Sequence, residues 1–322
     1  MAEQLNCYHM YIEQGYKGDI GLWKYFVIPL GFIGLMAINY VLTINSDIDV
    51  DVAMSQMIEQ VGSNITLIIL LLPLVVGFFV VLGWTFLIHR QSITSLTTSR
   101  SKIDWRRILF AFFLWGSITV FFTLLDVYAS PEDYVWNFNL EKFIPLAIVA
   151  ILLIPLQTSF EEFLFRGHMM QGLGILTKNR WLPLVVTSVL FGLMHIANPE
   201  VGKLGFGLLV YYIGTGFFLG ILTLMDEGLE LALGFHAANN LITALLVTAD
   251  WTAFQTDSIY RDVSVPTLGW DAYLPVFIVF PILLFVFSRK YKWVHWEEKL
   301  FGKVMTKEEF LAVTDEADPS TV

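Results

Sequence analysis

Residues 143–168 read FIPLAIVAILLIPLQTSFEEFLFRGH, an apolar run that closes on two adjacent glutamates, an arginine and a histidine. A hydrocarbon core of about 30 Å takes about 20 apolar residues in a helix, and the stretch from Phe143 to about Phe165 has that length. Charged groups at membrane depth are costly, so Glu161, Glu162 and Arg166 each need a partner or a task. On a helix Arg166 stands four residues beyond Glu162, a spacing that favours an ion pair, whereas Glu161 is rotated by about 100°. With its neighbour neutralised, Glu161 is free to face a cavity, where loss of water suits a carboxylate to general-base work.

Outward from this stretch the chain keeps the same character. Of its 322 residues 56% are hydrophobic and 15% charged, against roughly 25% charged in a soluble domain, which leaves too few polar groups to coat a globule in water. Seven further stretches have a suitable or near-suitable length for a span: Tyr25 to Ile44, Ile65 to Ile88, Ile108 to Leu125, Trp181 to Ala197, Leu204 to Met225, Leu229 to Ala249 and Ala272 to Ser288. The expected fold is therefore all-α, a polytopic transmembrane bundle of about eight spans. Between the second and third spans lie Arg90, Arg100, Lys102, Arg106 and Arg107; Lys178 and Arg180 follow the fourth; Arg289, Lys290, Lys292, Lys299, Lys303 and Lys307 follow the last. With Lys17 and Lys24 before the first span, these segments are expected in the cytoplasm and both termini with them. Lys142, Lys203 and Arg261 fall on the other side, where Asp47, Asp49, Asp51 and Glu59 make the first outer loop acidic.

The net charge of −10 gives no basic surface for nucleic acid, and no nucleic-acid partner is expected. Cys7 is the only cysteine, which rules out an internal disulfide framework. The first twenty residues lack the pattern of a cleaved signal peptide, so the first span is expected to act as the insertion signal. Three regions are expected: residues 1–140 with three lipid-like spans, 141–250 holding nearly all ionisable residues at membrane depth, and 251–322 with the final span and a basic tail ending in a disordered segment.

Two histidines stand on other spans, His195 in LFGLMHIAN and His236 in LGFHAANNLIT. Either alone reads as a core histidine bonded to a carbonyl. Asn240 follows His236 by four residues and projects from the same helix face. Together with Glu161 they make a hydrolytic centre: Glu161 takes a proton from water, His195 positions that water or shuttles the proton, and His236 and Asn240 donate to the oxyanion. A rival arrangement places Zn²⁺ between Glu161, His195 and His236; asparagine is a poor zinc ligand and no HExxH occurs, so a metal-free centre without cofactor is favoured. His168 and Asn198 are expected in loops or interfaces, and Asn239 to bond a neighbouring helix. Gly216-x-x-x-Gly220 reads as close helix packing. No G-x-S-x-G motif and no pair of intramembrane aspartates point to serine or aspartyl chemistry.

Glu161-Glu162-x-x-x-Arg166, Phe191-x-x-x-His195 and His236-x-x-x-Asn240 resemble, in order and placement, the three signature motifs of the CAAX prenyl protease and bacteriocin-processing family of intramembrane proteases, also called the Abi family. The resemblance spans about residues 141 to 250. It implies an eight-helix or similar fold and peptide-bond hydrolysis in the membrane, with Glu161 and His195 activating water, His236 and Asn240 as oxyanion hole, and Glu162 and Arg166 in support. The expected partners are the lipid bilayer and a membrane-associated protein or peptide substrate, and the expected setting is a bacterial plasma membrane with the site facing the cytoplasm. A non-catalytic scaffold or immunity protein of the same fold, and a proton-coupled transporter using the same glutamates and histidines, are the alternatives.

Overall fold

Within lipid a backbone can satisfy its N–H and C=O groups only inside its own segment or a closed sheet, and the apolar stretches of the chain are accordingly helical over most of their length. A computed structural model describes residues 10–46 and 50–316; Cys7, Asp47, Asp49 and the polar end of the tail lie outside the described residues. Among these residues α1 (Leu22–Ile44), α2 (Val50–Val61), α3 (Ser63–Leu87), α4 (Ile93–Thr97) and α5 (Trp105–Ala129) come first. Then follow α6 (Leu140–Glu162), α7 (Met170–Thr177), α8 (Trp181–Leu193), α9 (Pro199–Leu204), α10 (Leu209–Asp226) and α11 (Glu230–Leu246). The chain continues with α12 (Phe280–Tyr291), α13 (Trp296–Phe301) and α14 (Lys307–Glu316).

Five helical segments are long and apolar enough to cross a membrane: Trp23–Ile44, Ser63–Leu87, Trp105–Ala129, Leu140–Thr177 and Phe206–Asp226. The other three expected spans are helical but shorter or interrupted. α8 has 13 residues, α11 has 17 and carries polar side chains, and a π-turn at Pro275–Val279 leads into α12. The polytopic helical bundle is what the composition implies, and its periphery shows why. Leu35 is 68% exposed, Phe79 59% and Phe113 63%, a density of bare apolar surface that water does not tolerate and lipid does.

The two ends of the bundle differ in chemistry. At one end Arg100 pairs with Asp226 and Glu230, each at 3.3 Å, and Arg107 also bonds Asp226. Lys299 pairs with Glu227 at 3.3 Å and Arg180 with Glu13 at 2.7 Å, while Trp293 donates to Asp226 at 3.1 Å. Burial pushes the Glu227 carboxyl up, against the pull of Lys299 and Arg180. The basic segments assigned to one side by charge therefore meet in one polar plate. At the opposite end the loops form a small sheet absent from the all-α expectation, with strands β1 (Tyr134–Trp136), β2 (Val247–Ala249) and β3 (Tyr260–Asp262). β3 lies in the middle, antiparallel to β1 with Val135 opposite Arg261, and parallel to β2 with Thr248 opposite Arg261.

Between the ends, α11 lies along α5 and α6, α3 lies on α6, and α10 lies on α8. Helices in lipid gain no hydrophobic drive to associate and rely on close van der Waals packing. Gly216 of α10 supplies it: a Cβ there would stand 2.5 Å from the Ser188 carbonyl oxygen of α8. One turn on, a Cβ at Gly220 would meet Leu184 at 2.5 Å. A Gly216→Val protein is expected to lose at least the ~1–3 kcal/mol typical of overpacking, seen as a lower melting temperature in detergent. Melting unchanged from the parent would refute this contact.

Candidate active site

The fourth apolar stretch does not stop where its hydrophobicity does. α6 passes through a π-turn, Phe163–Met169, into α7, a continuous rod from Leu140 to Thr177 of 38 residues. Glu161 and Glu162 thus sit within the rod, not at or near the end of a span as the sequence suggests. All seven residues of the π-turn are buried, so Arg166 and His168 continue the rod inside protein instead of reaching solvent. π-turns interrupt α-helices frequently at functional sites.

Glu162 and Arg166 are both fully buried. Arg166 donates from Nη1 to Glu162 Oε1 at 3.1 Å and from Nη2 to the Gly216 carbonyl of α10 at 3.1 Å, and its guanidinium lies 4.2 Å from the centre of the Phe191 ring. His236 of α11 bonds the same Glu162 Oε1 through Nδ1 at 2.8 Å. A carboxylate only accepts, so Nδ1 carries a proton and donates it to Glu162. Nε2 of the same ring stands 3.9 Å from Glu161 Oε2.

Glu161 turns to the other side of the rod. Its Oε1 accepts from Gln157, and its buried Oε2 has no hydrogen-bond partner in the protein. Asn240, one turn along α11 from His236, donates to Gln157 Oε1 at 3.2 Å and accepts from Asn239 at 3.1 Å. Asn239 in turn accepts from Trp115 of α5 at 3.1 Å, the neighbouring-helix bond expected of it. His195 follows α8; its Nδ1 donates to the Phe191 carbonyl at 2.8 Å, which leaves Nε2 as a lone pair. Its ring stacks on Tyr212, centroids 4.2 Å apart, and Tyr212 donates to Glu200 at 2.6 Å.

Glu161, Gln157, His195, Asn239 and Asn240 line one cavity of about 390 Å³ together with Glu200, Tyr212 and residues 251–254. His236 is not part of its wall and reaches it through Glu161. Among the described residues no three His, Cys, Asp or Glu side chains gather into a group that could hold a metal. The cavity extends to β2, Asp262 and the 251–254 loop, the sheet end.

Other polar residues fall less simply. His168 is an interface residue and not a loop one: it is buried in the π-turn, packed 5.1 Å from His89 and 5.2 Å from Tyr25 between ring centres. Burial holds the His89 imidazole below its ordinary range. Asn198 precedes α9 and donates to Glu200 at 3.0 Å. Sequence reasoning missed Gln157, although it stands four residues before Glu161 and helical spacing flags it. Glu200 and Tyr212 carry no such signal, because they come from two other helices, α9 and α10.

Residues 140–242 match the family model described as type II CAAX prenyl endopeptidase Rce1-like. The uncharacterized protein YyaK of Bacillus subtilis (strain 168) is 30% identical over 279 residues, covering 81% of this chain and 89% of that protein. No solved structure gives a significant match. The family match includes every residue of the cluster around Glu161 and Glu162 that α6, α8 and α11 contribute.

Replacing Arg166 by alanine would leave Glu162 buried with only His236 beside it, a loss typically of about 3–5 kcal/mol. Arg166→Ala is expected to unfold earlier in a detergent melt, and Arg166→Ala with Glu162→Gln to recover part of that loss. A melt equal to the parent's for the single variant would show that the ion pair does not hold this layer together.

Proposed function

The chain belongs to the Rce1-like family of type II CAAX prenyl endopeptidases, and from that premise we propose that it is an intramembrane endopeptidase hydrolysing a peptide bond of a membrane-associated protein or peptide. One observation carries this reading. An acid with a free oxygen, the histidine that follows α8 and an asparagine of α11 line a single cavity inside an otherwise apolar bundle, with His236 standing 3.9 Å behind the acid.

In this proposal Glu161 is the general base. Gln157 engages Oε1, so Oε2 is the oxygen that takes a proton from water. The Nε2 lone pair of His195 accepts the water's other hydrogen and holds its oxygen toward the scissile carbonyl. Adding the hydroxide forms the C–O bond and pushes the carbonyl electrons onto oxygen. Asn240 has one amide hydrogen committed to Gln157; the second donates to this oxyanion. The proton on Glu161 has a short path to Nε2 of His236, where Glu162 stabilises the imidazolium through Nδ1. The protonated His236 is then a second donor to the oxyanion, a role the neutral ring cannot fill. Collapse breaks the C–N bond, and the leaving amine takes the proton back. Glu162 and Arg166 act by positioning His236 and Phe191, not by touching substrate. No step in this sequence calls for a metal or cofactor.

The natural setting for such a bundle is a bacterial plasma membrane with the basic end in the cytoplasm. Glu161→Gln is expected to abolish cleavage while the detergent melting temperature stays within experimental scatter of the parent. Asn240→Ala should lower kcat by about 10²–10³, the usual loss of one oxyanion donor. Cleavage by Glu161→Gln within about tenfold of the parent, or ~1.4 kcal/mol of barrier, would remove Glu161 from the role of base. A cellular phenotype that survives Glu161→Gln unchanged would favour a scaffold or immunity role for this fold.

A further inference from the structure

We propose that the cavity takes its substrate from the extracytoplasmic side, so that the bond cut lies in the outer juxtamembrane part of a membrane-anchored protein or in an exported peptide. The substrate class rests on the endopeptidase reading; the side of access does not.

The helices fix which end the cavity faces. α11 starts at Glu230, paired with Arg100 in the basic plate, and ends by running into β2. α8 starts next to Arg180, also in the plate, and ends just before His195. Both helices thus carry their site residues toward the sheet. From Glu161 the rod runs a further ~24 Å to Thr177, at about 1.5 Å per residue, and Lys178 there accepts a backbone bond from Val304 in the basic segment. That depth is filled by Leu164, Met170, Leu222, Leu224, Met225 and Leu229, all fully or almost fully buried. The cavity wall includes Thr248, Ala249, Thr252 and Asp262 from the sheet end, and no residue of the basic plate.

The charges fix which end is which. Of 19 Lys and Arg, only Lys142, Lys203, Arg261 and the buried Arg166 lie outside the basic segments. Such an imbalance in short loops holds the basic end in the cytoplasm. A cytoplasmic site is expected from sequence only because the apolar run stops at Phe165, which places the two glutamates at the inner membrane edge. The π-turn and α7 move that edge beyond them. On the lipid side, Phe32 and Met36 of α1 line the cavity while Leu35, Ile38 and Leu42 of the same helix are well exposed. A single helix therefore stands between cavity and bilayer, which suits a substrate already held in the membrane.

The test starts from a Cys7→Ser protein in intact bacterial cells, carrying one new cysteine at a time. Val265→Cys probes the sheet-end loop, where Val265 is 81% exposed; Thr252→Cys probes the cavity wall, and Lys102→Cys the basic end. 2-(Trimethylammonium)ethyl methanethiosulfonate, whose fixed quaternary charge keeps it from crossing membranes, is expected to label positions 265 and 252 in intact cells and position 102 only after lysis. Labelling of position 102 in intact cells, or of 252 only after lysis, would overturn the proposal. A second arm uses a single-span protein bearing a library of random peptide segments just outside or just inside its span. Cleavage of outer segments, lost in Glu161→Gln, is the expected result, and cleavage confined to inner segments would overturn it. Outside labelling of position 252 with neither set cleaved would support the side of access and sink the endopeptidase reading alone.

Discussion

A guanidinium sealed from both water and lipid organises the interior of this protein. Arg166 joins Glu162 on its own helix, the Gly216 carbonyl on α10 and the Phe191 ring on α8, while Glu162 carries the connection on to His236 of α11. Four helices are thereby held in one register by one cation. A buried ion pair is seldom a net source of stability, because desolvation offsets most of the attraction, whereas breaking it is expensive. The arrangement is better understood as a constraint than as glue: few other packings satisfy that charge, so the ring of His236 and the carboxylate of Glu161 are held where they are.

The same bundle shows how a polar hollow survives inside an apolar body. α8 and α11 are short, and both stop before reaching the far end. The room they leave is closed by a loop and a three-stranded sheet, which can offer polar atoms and irregular backbone because they line a cavity and not lipid. Elsewhere α8 packs tightly on α10, with Gly216 against the Ser188 backbone. Close packing there and shortened helices at the sheet end place the hollow off centre.

Much of this was legible in the sequence, for identifiable reasons. Hydrophobic length marked the five long apolar helical segments, and i to i+4 spacing marked the Glu162–Arg166 pair and the common face of His236 and Asn240. What escaped depended on contacts between distant segments. The apolar run breaks at Arg166, and only the partners waiting on α8 and α10 let the helix continue through it; without them the break reads as a span boundary. The protons on His195 and His236 follow from a carbonyl and a carboxylate that spacing cannot reveal. Glu200 joins Tyr212 and Asn198 across a loop with no periodicity to read. The sheet uses strands of three residues each, below the length at which alternation is detectable.

The basic plate draws together pieces made at very different times. Glu13 holds Arg180 and the amide of Met305, Tyr16 donates to the Met305 carbonyl, and Glu227 accepts from the Tyr11 amide and pairs with Lys299. A ribosome delivers residues 11–16 long before residues 293–305, so the carboxylates of Glu13 and Glu227 stay only partly matched while the intervening helices enter the bilayer. Closure of this end therefore waits on the last part of the chain to be made.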